Sequence, residues 1–205
     1  MSDIVLKNIH KAYDGKPVLS GFSLTLKEGK RTCIMGPSGC GKTTLLHILC
    51  GLVTPDQGEI QGMAERIAMV FQENRLCEQF SALENVRMVA LDQTARAKAL
   101  LTRLGLGESM LQKVSALSGG MKRRVAIARA LCYDAPLMVM DEPFKGLDEE
   151  TKDMVMQTVL RETEGKTVLL ITHDEEEARR FADEIVVMGD TCGASPLRPT
   201  RGITP

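Results

Sequence analysis

Aromatic rings are scarce in this sequence: 205 residues hold no tryptophan, two tyrosines and five phenylalanines. So few flat side chains leave little with which to stack nucleic-acid bases. Charge of one sign is missing too, since 26 Lys and Arg against 27 Asp and Glu give a formal net charge of −1. Such a balance supplies no basic field to grip a polyanion, so no nucleic-acid partner is expected. The six cysteines, at 33, 40, 50, 77, 132 and 192, form no C-x-x-C pair and no His/Cys cluster at zinc spacing. With no secretory leader, they read as reduced cytosolic thiols. No apolar run approaches the roughly 18–20 residues that span a bilayer, so work at a membrane would need a separate anchor. Repeats, low-complexity blocks and long linkers are also missing, and the length suits one good core with a small subdomain.

What is present alternates between two periodicities. "GFSLTLK" places Phe22, Leu24 and Leu26 on one face and Ser23, Thr25 and Lys27 on the other, an antiparallel strand with one wet side. The runs at 33–35, 67–70, 137–140, 168–171 and 185–188 are apolar throughout, which fits parallel strands covered on both faces. Helical patterns at 42–51, 149–164 and 174–182 separate many of them. From about 73 to 134 the patterns are helical only (82–91, 94–104 and 119–132), which predicts a helical subdomain inserted in an α/β core. Residues 189–205 carry three prolines and no period, and read as a loose tail of this single domain.

"GPSGCGKT" (36–43) fits G-x-x-x-x-G-K-[ST] between an apolar strand and a helix, the setting a phosphate loop requires. In the loop formed by Gly36, Pro37, Ser38, Gly39, Cys40 and Gly41 the glycines would let backbone N–H groups wrap the β-phosphate, with Lys42 on the β/γ oxygens and the Thr43 hydroxyl on Mg²⁺. Thr44 continues the same helix start. "LMVMDEP" sets Asp141 and Glu142 just past a buried strand, where α/β sheets bind ligands. Asp141 suits the metal shell and Glu142 the activation of water. Gln72 and His173 each follow a strand in the same manner, Gln72 as a ligand of Mg²⁺ or of the water, His173 towards the γ-phosphate. Tyr13 is either a packed strand aromatic or a platform for adenine. A second phosphate-suited start lies at Ser118-Gly119-Gly120, where a serine cap opens a helix.

The order of these motifs resembles the ATP-binding subunit of ABC (ATP-binding cassette) transporters, over about residues 2–188. The resemblance implies a P-loop NTPase core with a mainly parallel sheet, an antiparallel β subdomain and the inserted helices. It assigns Tyr13 to the adenine-stacking loop, 36–43 to Walker A, Gln72 to the Q-loop and Ser118, Gly119 and Gly120 to the signature. Asp141 and Glu142 match Walker B, Asp148 the D-loop and His173 the switch histidine. It also explains the second phosphate element: in the family two cassettes pack head to tail, and each ATP lies between one Walker A and the partner's signature. Met121 stands where glutamine is usual, and Lys145 and Gly146 stand where alanine or serine is commoner.

"VFQENRLCEQFSALENV" (70–86) is similar to nitrate, sulfonate and taurine importers, which implies docking of Arg75–Ser81 on a membrane subunit. An ATPase peripheral on the cytoplasmic side of the membrane is then expected. Separate permease chains and a substrate-binding protein would complete the importer. The alternative is a soluble ABC-type ATPase of nucleic-acid or assembly work, which usually carries a coiled coil, zinc modules or two cassettes, none of them seen here. An ATP-binding switch without turnover is disfavoured by Glu142 and His173.

Overall fold

The computed structural model describes residues 2–189 and 194–197. In chain order the elements are β1 (Ile4–Tyr13), β2 (Lys16–Leu26), β3 (Arg31–Met35), α1 (Lys42–Leu49), β4 (Gln57–Gln61), β5 (Ile67–Val70), α2 (Ala82–Arg87) and α3 (Thr94–Arg103). They continue with α4 (Gly119–Tyr133), β6 (Leu137–Asp141), α5 (Glu149–Glu162), β7 (Thr167–Ile171), α6 (Glu175–Phe181), β8 (Glu184–Met188) and β9 (Ala194–Leu197). The described residues fall into two compact units, 2–67 with the chain from 165 onward, and 68–164.

The first unit holds an antiparallel sheet in the order β2-β1-β4. Its hairpin turns at Asp14 and Gly15, both at positive φ (50° and 75°), the twist-matched geometry of a two-residue loop. Along β2, Phe22, Leu24 and Leu26 are buried while Ser23 and Thr25 face out, as the alternation predicts. Strand β3 lies parallel to both β7 and β8. Its Cys33 and every residue of β7 are buried, so these strands read as unbroken apolar runs. Burial pushes the Cys33 thiol up to about 12, with the Glu177 charge adding to it, in keeping with an inert thiol.

One expectation needs correcting. Within 189–205, Ala194–Leu197 is not loose but pairs antiparallel with β8, Val187 opposite Ser195. A strand edge offers a row of ladder groups, and proline at 196 is compatible because β9 is itself the outermost strand. The other residues of that tail, 190–193 and 198–205, lie outside the described ones.

In the second unit β5 lies beside β6, and α4 packs against α2 and α3. Helix α2 opens on a reciprocal cap, the Glu84 backbone N–H donating to Ser81 Oγ and Ser81 N–H to Glu84 Oε2. Among the described residues no helix is long and apolar enough to cross a membrane.

Candidate functional site

The phosphate loop leaves β3 at Met35 and enters α1 at Lys42. Two of its glycines are demanded by space as well as by backbone angle. A Cβ on Gly36 (φ 155°) would stand 2.5 Å from Met188 O, and one on Gly41 (φ 98°) 2.9 Å from Leu19 Cδ2. Gly39 (φ 84°) faces open space, so only its backbone conformation calls for glycine there. Lys42 Nζ donates to Gly36 O at 2.8 Å and Pro37 O at 2.7 Å, and lies 3.7 Å from Cys40 Sγ. The single side-chain cation is therefore already folded over its own loop. Thr43 is exposed on the first turn of α1 and Thr44 half-buried, while Pro37, Ser38 and Gly39 are exposed and Cys40 is buried.

The same unit carries Tyr13 and His173. Tyr13 ends β1, 42 % exposed, with Lys11 Nζ over its ring 5.6 Å from the centroid. His173 is exposed two residues past β7, in a turn fixed on both sides. Thr172 Oγ1 donates to the buried Glu177 carboxylate at 2.6 Å, and Asp174 N–H donates to Thr172 Oγ1 at 3.1 Å.

In the second unit Asp141 ends β6, only 5 % exposed, and Glu142 adopts φ 45°, a left-handed turn uncommon for a residue with a side chain. Glu142 Oε2 accepts from Lys145 Nζ at 2.7 Å. Arg123, buried on α4, donates Nε–H to Pro143 O (3.0 Å) and Nη2–H to Asp141 O (2.6 Å) and Glu142 O. Its Nη1 donates to Phe71 O, Gln72 O (3.2 Å) and Asn74 Oδ1 (3.3 Å). Burial pulls this guanidinium below its ordinary value, and the Asp141 and Glu142 charges oppose that pull. Gln72 itself is exposed two residues beyond β5.

The 71–81 segment is held from beneath. Arg129 donates to Asn74 O (3.2 Å) and Arg75 O (2.9 Å), and the Arg75 guanidinium stacks 3.8 Å over the Phe71 ring. Asn85 brackets Cys77, its Oδ1 accepting from Cys77 N–H and its Nδ2 donating to Cys77 O. Ser118 caps α4, its Oγ accepting from Met121 N–H at 3.3 Å. Asp148 caps α5 through both carboxylate oxygens, and the Thr151 backbone N–H and hydroxyl hold it below the usual carboxylate range. Within this unit Arg123 thus joins Gln72 to Asp141 and Glu142, while Ser118 and Asp148 each begin a helix. Sequence reasoning missed Arg123 and Arg129 and met Lys145 only as a departure; for Lys145 the spacing of three from Glu142 was the available signal.

Comparisons with known proteins agree with this chemistry. A family model described as "ABC transporter" matches residues 19–145. The taurine import ATP-binding protein TauB of Escherichia coli O157:H7 is 40% identical over 201 residues, 89% of this chain and 78% of that protein. The aliphatic sulfonates import ATP-binding protein SsuB 1 of Pseudomonas syringae pv. syringae (strain B728a) is 38% identical over 190 residues, 90% and 79% of the two chains. Among solved structures, the dimeric bacterial ABC transporter cassette MJ0796 superposes with TM-score 0.85 at 33% identity, covering 95% of this chain and 99% of that one. A dimeric post-hydrolysis form of the same cassette, bound to ADP and Pi, gives 0.87 at 32% identity, covering 98% of this chain and 100% of that one. A phosphate loop with two glycines that no other residue can replace, a family model over residues 19–145 and relatives 38–40% identical over about nine-tenths of the chain lead to one conclusion: the chain belongs to the ABC transporter family, as an ATP-binding and ATP-hydrolysing cassette.

Proposed function

We propose that this cassette powers a bacterial importer, working head to tail with a second copy so that each ATP is held by one Walker A and the other copy's signature. The observation that carries the reading is the loop at 36–41 with Lys42 folded over it, packed so closely on Met188 and on Val18 and Leu19 that Gly36 and Gly41 leave no room for a side chain. Tyr13 offers its exposed ring to adenine. Lys42 exchanges its carbonyl partners for β/γ oxygens, and the N–H groups of the loop and of the α1 start bind the β-phosphate. The second copy's Ser118 hydroxyl and the N–H groups of Gly119 and Gly120 bind the γ-phosphate, with Asp148 of that copy close to the shared nucleotide.

Thr43, Gln72 and Asp141 present hard oxygen donors that would hold Mg²⁺, which when bound neutralises charge on the phosphates. Glu142 takes a proton from the attacking water as its oxygen bonds to the γ-phosphorus; the bond to the bridging oxygen breaks, and ADP and phosphate leave. Gln72 and His173 orient the water and the γ-phosphate. The Arg75–Ser81 segment, exposed at Arg75 and from Cys77 to Phe80 with Leu76 half-buried and Ser81 buried, is pinned by Arg129 and Asn85 and suits a preformed docking surface for a permease subunit. That subunit would hold the cassette at the cytoplasmic face of the membrane and meet the substrate-binding protein in turn.

The test is Lys42→Ala. It should abolish measurable binding of a fluorescent ATP analogue while circular dichroism stays native, because Lys42 is the loop's one side-chain cation. Near-wild-type affinity in a folded variant would remove the Walker A assignment, and the proposal with it.

A further inference from the structure

We propose that Arg123 is a positioning residue for hydrolysis, tying the glutamine segment and the carboxylate turn to the signature helix as one body. The inference rests on the ATPase reading above. Arg123 lies one turn past Gly119 on α4 and is 4 % exposed. A guanidinium has five N–H donors in a plane and no acceptor. Here all three nitrogens are used, and the acceptors fall in two groups distant in sequence: the carbonyls of Asp141, Glu142 and Pro143, and Phe71 O, Gln72 O and Asn74 Oδ1.

Three of these six acceptors belong to residues given a part in the chemistry, Gln72, Asp141 and Glu142, and the other three are their close neighbours in the chain. Three successive carbonyls can converge on one cation only because the chain reverses at Glu142, in the left-handed conformation that a side-chain-bearing residue seldom adopts. The bonds to Arg123 help to hold that turn, and the turn sets the direction in which the Glu142 carboxylate leaves the backbone. The opposite edge of the same guanidinium sets the backbone of Gln72. A shift of α4 therefore cannot move the signature start without carrying both segments. Lysine could not substitute: it offers three donors around a point, whereas these acceptors are spread along a planar fork.

A residue acting in this way predicts a split between binding and turnover. Arg123→Lys keeps charge and approximate length, so folding is preserved, while at most half of the fork can be satisfied. ATP-analogue affinity should stay within about threefold, and kcat should fall about 10–100-fold, the scale of a 1 Å misplacement of a catalytic group. Hydrogen–deuterium exchange of the same variant should rise together in peptides covering 71–75 and 141–145, with β7 and β8 unchanged. Arg123→Gln, which retains a donor but no charge, should give the same pattern more strongly. Wild-type kcat in folded Arg123→Lys, or faster exchange in only one of the two segments, would overturn the proposal. Exchange rising throughout the chain would also overturn it, since that marks a general stability role. Absence of ATPase activity in the wild-type chain would instead sink the reading beneath it, and the paired exchange does not depend on that activity.

Discussion

Replacing Glu142 with glutamine separates chemistry from everything else that residue touches. The substitution keeps shape and the left-handed backbone and removes the charge. Its visible structural cost is the ion pair with Lys145 at 2.7 Å. Lys145 is 57 % exposed there, so water screens the pair, and its loss is worth about 0–1 kcal/mol of stability. The kinetic cost is of another order. A positioned general base contributes about 10²–10⁴-fold, equivalent to about 2.7–5.4 kcal/mol of barrier. Turnover should therefore collapse in a protein whose urea midpoint hardly moves. ATP affinity should be retained, because Lys42, Thr43 and Asp141 are untouched, and unspent ATP should accumulate a dimer visible by size exclusion. A Glu142→Gln variant that stays monomeric in ATP and turns over at the wild-type rate would refute the assignment of Glu142 as the base.

The glycine argument is tested by Gly36→Ala against Gly39→Ala. The second meets open space and should cost only the left-handed strain of about 1–2 kcal/mol, whereas the first adds a clash with Met188 O and should cost about 1–3 kcal/mol more, read by urea denaturation. Asp183 is pushed up by burial but held lower on balance by the Arg31 N–H and guanidinium (2.9 and 3.4 Å). Its folded value is depressed, so its contribution is present above the unfolded carboxylate range and lost as pH falls through the folded one; Asp183→Asn should flatten the acid limb of stability below about pH 4. Ser118→Asp should keep helix α4 and the chain's own nucleotide affinity, since aspartate caps as well as serine, yet block ATP-driven dimerisation by meeting a phosphate with a carboxylate. Dimerisation at wild-type ATP concentrations would remove Ser118 from the shared site.

The parts of the fold legible in sequence are those whose signal is local. The phosphate loop is one strand, six loop residues and one helix start, so its motif and its structure occupy the same stretch. The alternation of β2 survives because one face is buried against the core. Its partner β1 escapes a period-two reading because its register slips between Leu6 and Ile9 and again between Ile9 and Lys11, with Asn8 at φ 51° between them. Strand β4 escapes because it is polar and largely exposed, held by its ladder to β1 rather than by apolar burial. Arg123 was invisible for a different reason. Five of its six acceptors are backbone oxygens, those of Phe71 and Gln72 lying 52 and 51 residues upstream, and carbonyls carry no signature of residue type; the sixth is Asn74 Oδ1.

The serine at 118 shows why a helix cap and a ligand contact need not compete. As a cap, its Oγ accepts from Met121 N–H at 3.3 Å, which occupies one lone pair. A hydroxyl also owns a proton, free to turn and donate in another direction. Phosphate oxygens accept only, so the donor that capping leaves unused is the one a γ-phosphate requires. Aspartate or asparagine would cap as well, but the first offers no donor and adds repulsion, and the second sets a bulkier amide at the mouth. Beside it, a Cβ on Gly120 would lie 3.4 Å from Leu147 Cδ2, in ordinary contact, so alanine would fit there and a larger side chain would meet Leu147. In the proposed pair, serine followed by two glycines would be the small, donor-bearing helix start that lets a second copy's phosphate approach the backbone. Lys42 and its loop solve the same problem differently, with a mobile cation and a wrapped backbone. Under the proposed function one element would enclose a nucleotide from behind and the other would close over that of the second copy, which is why a single chain would need both.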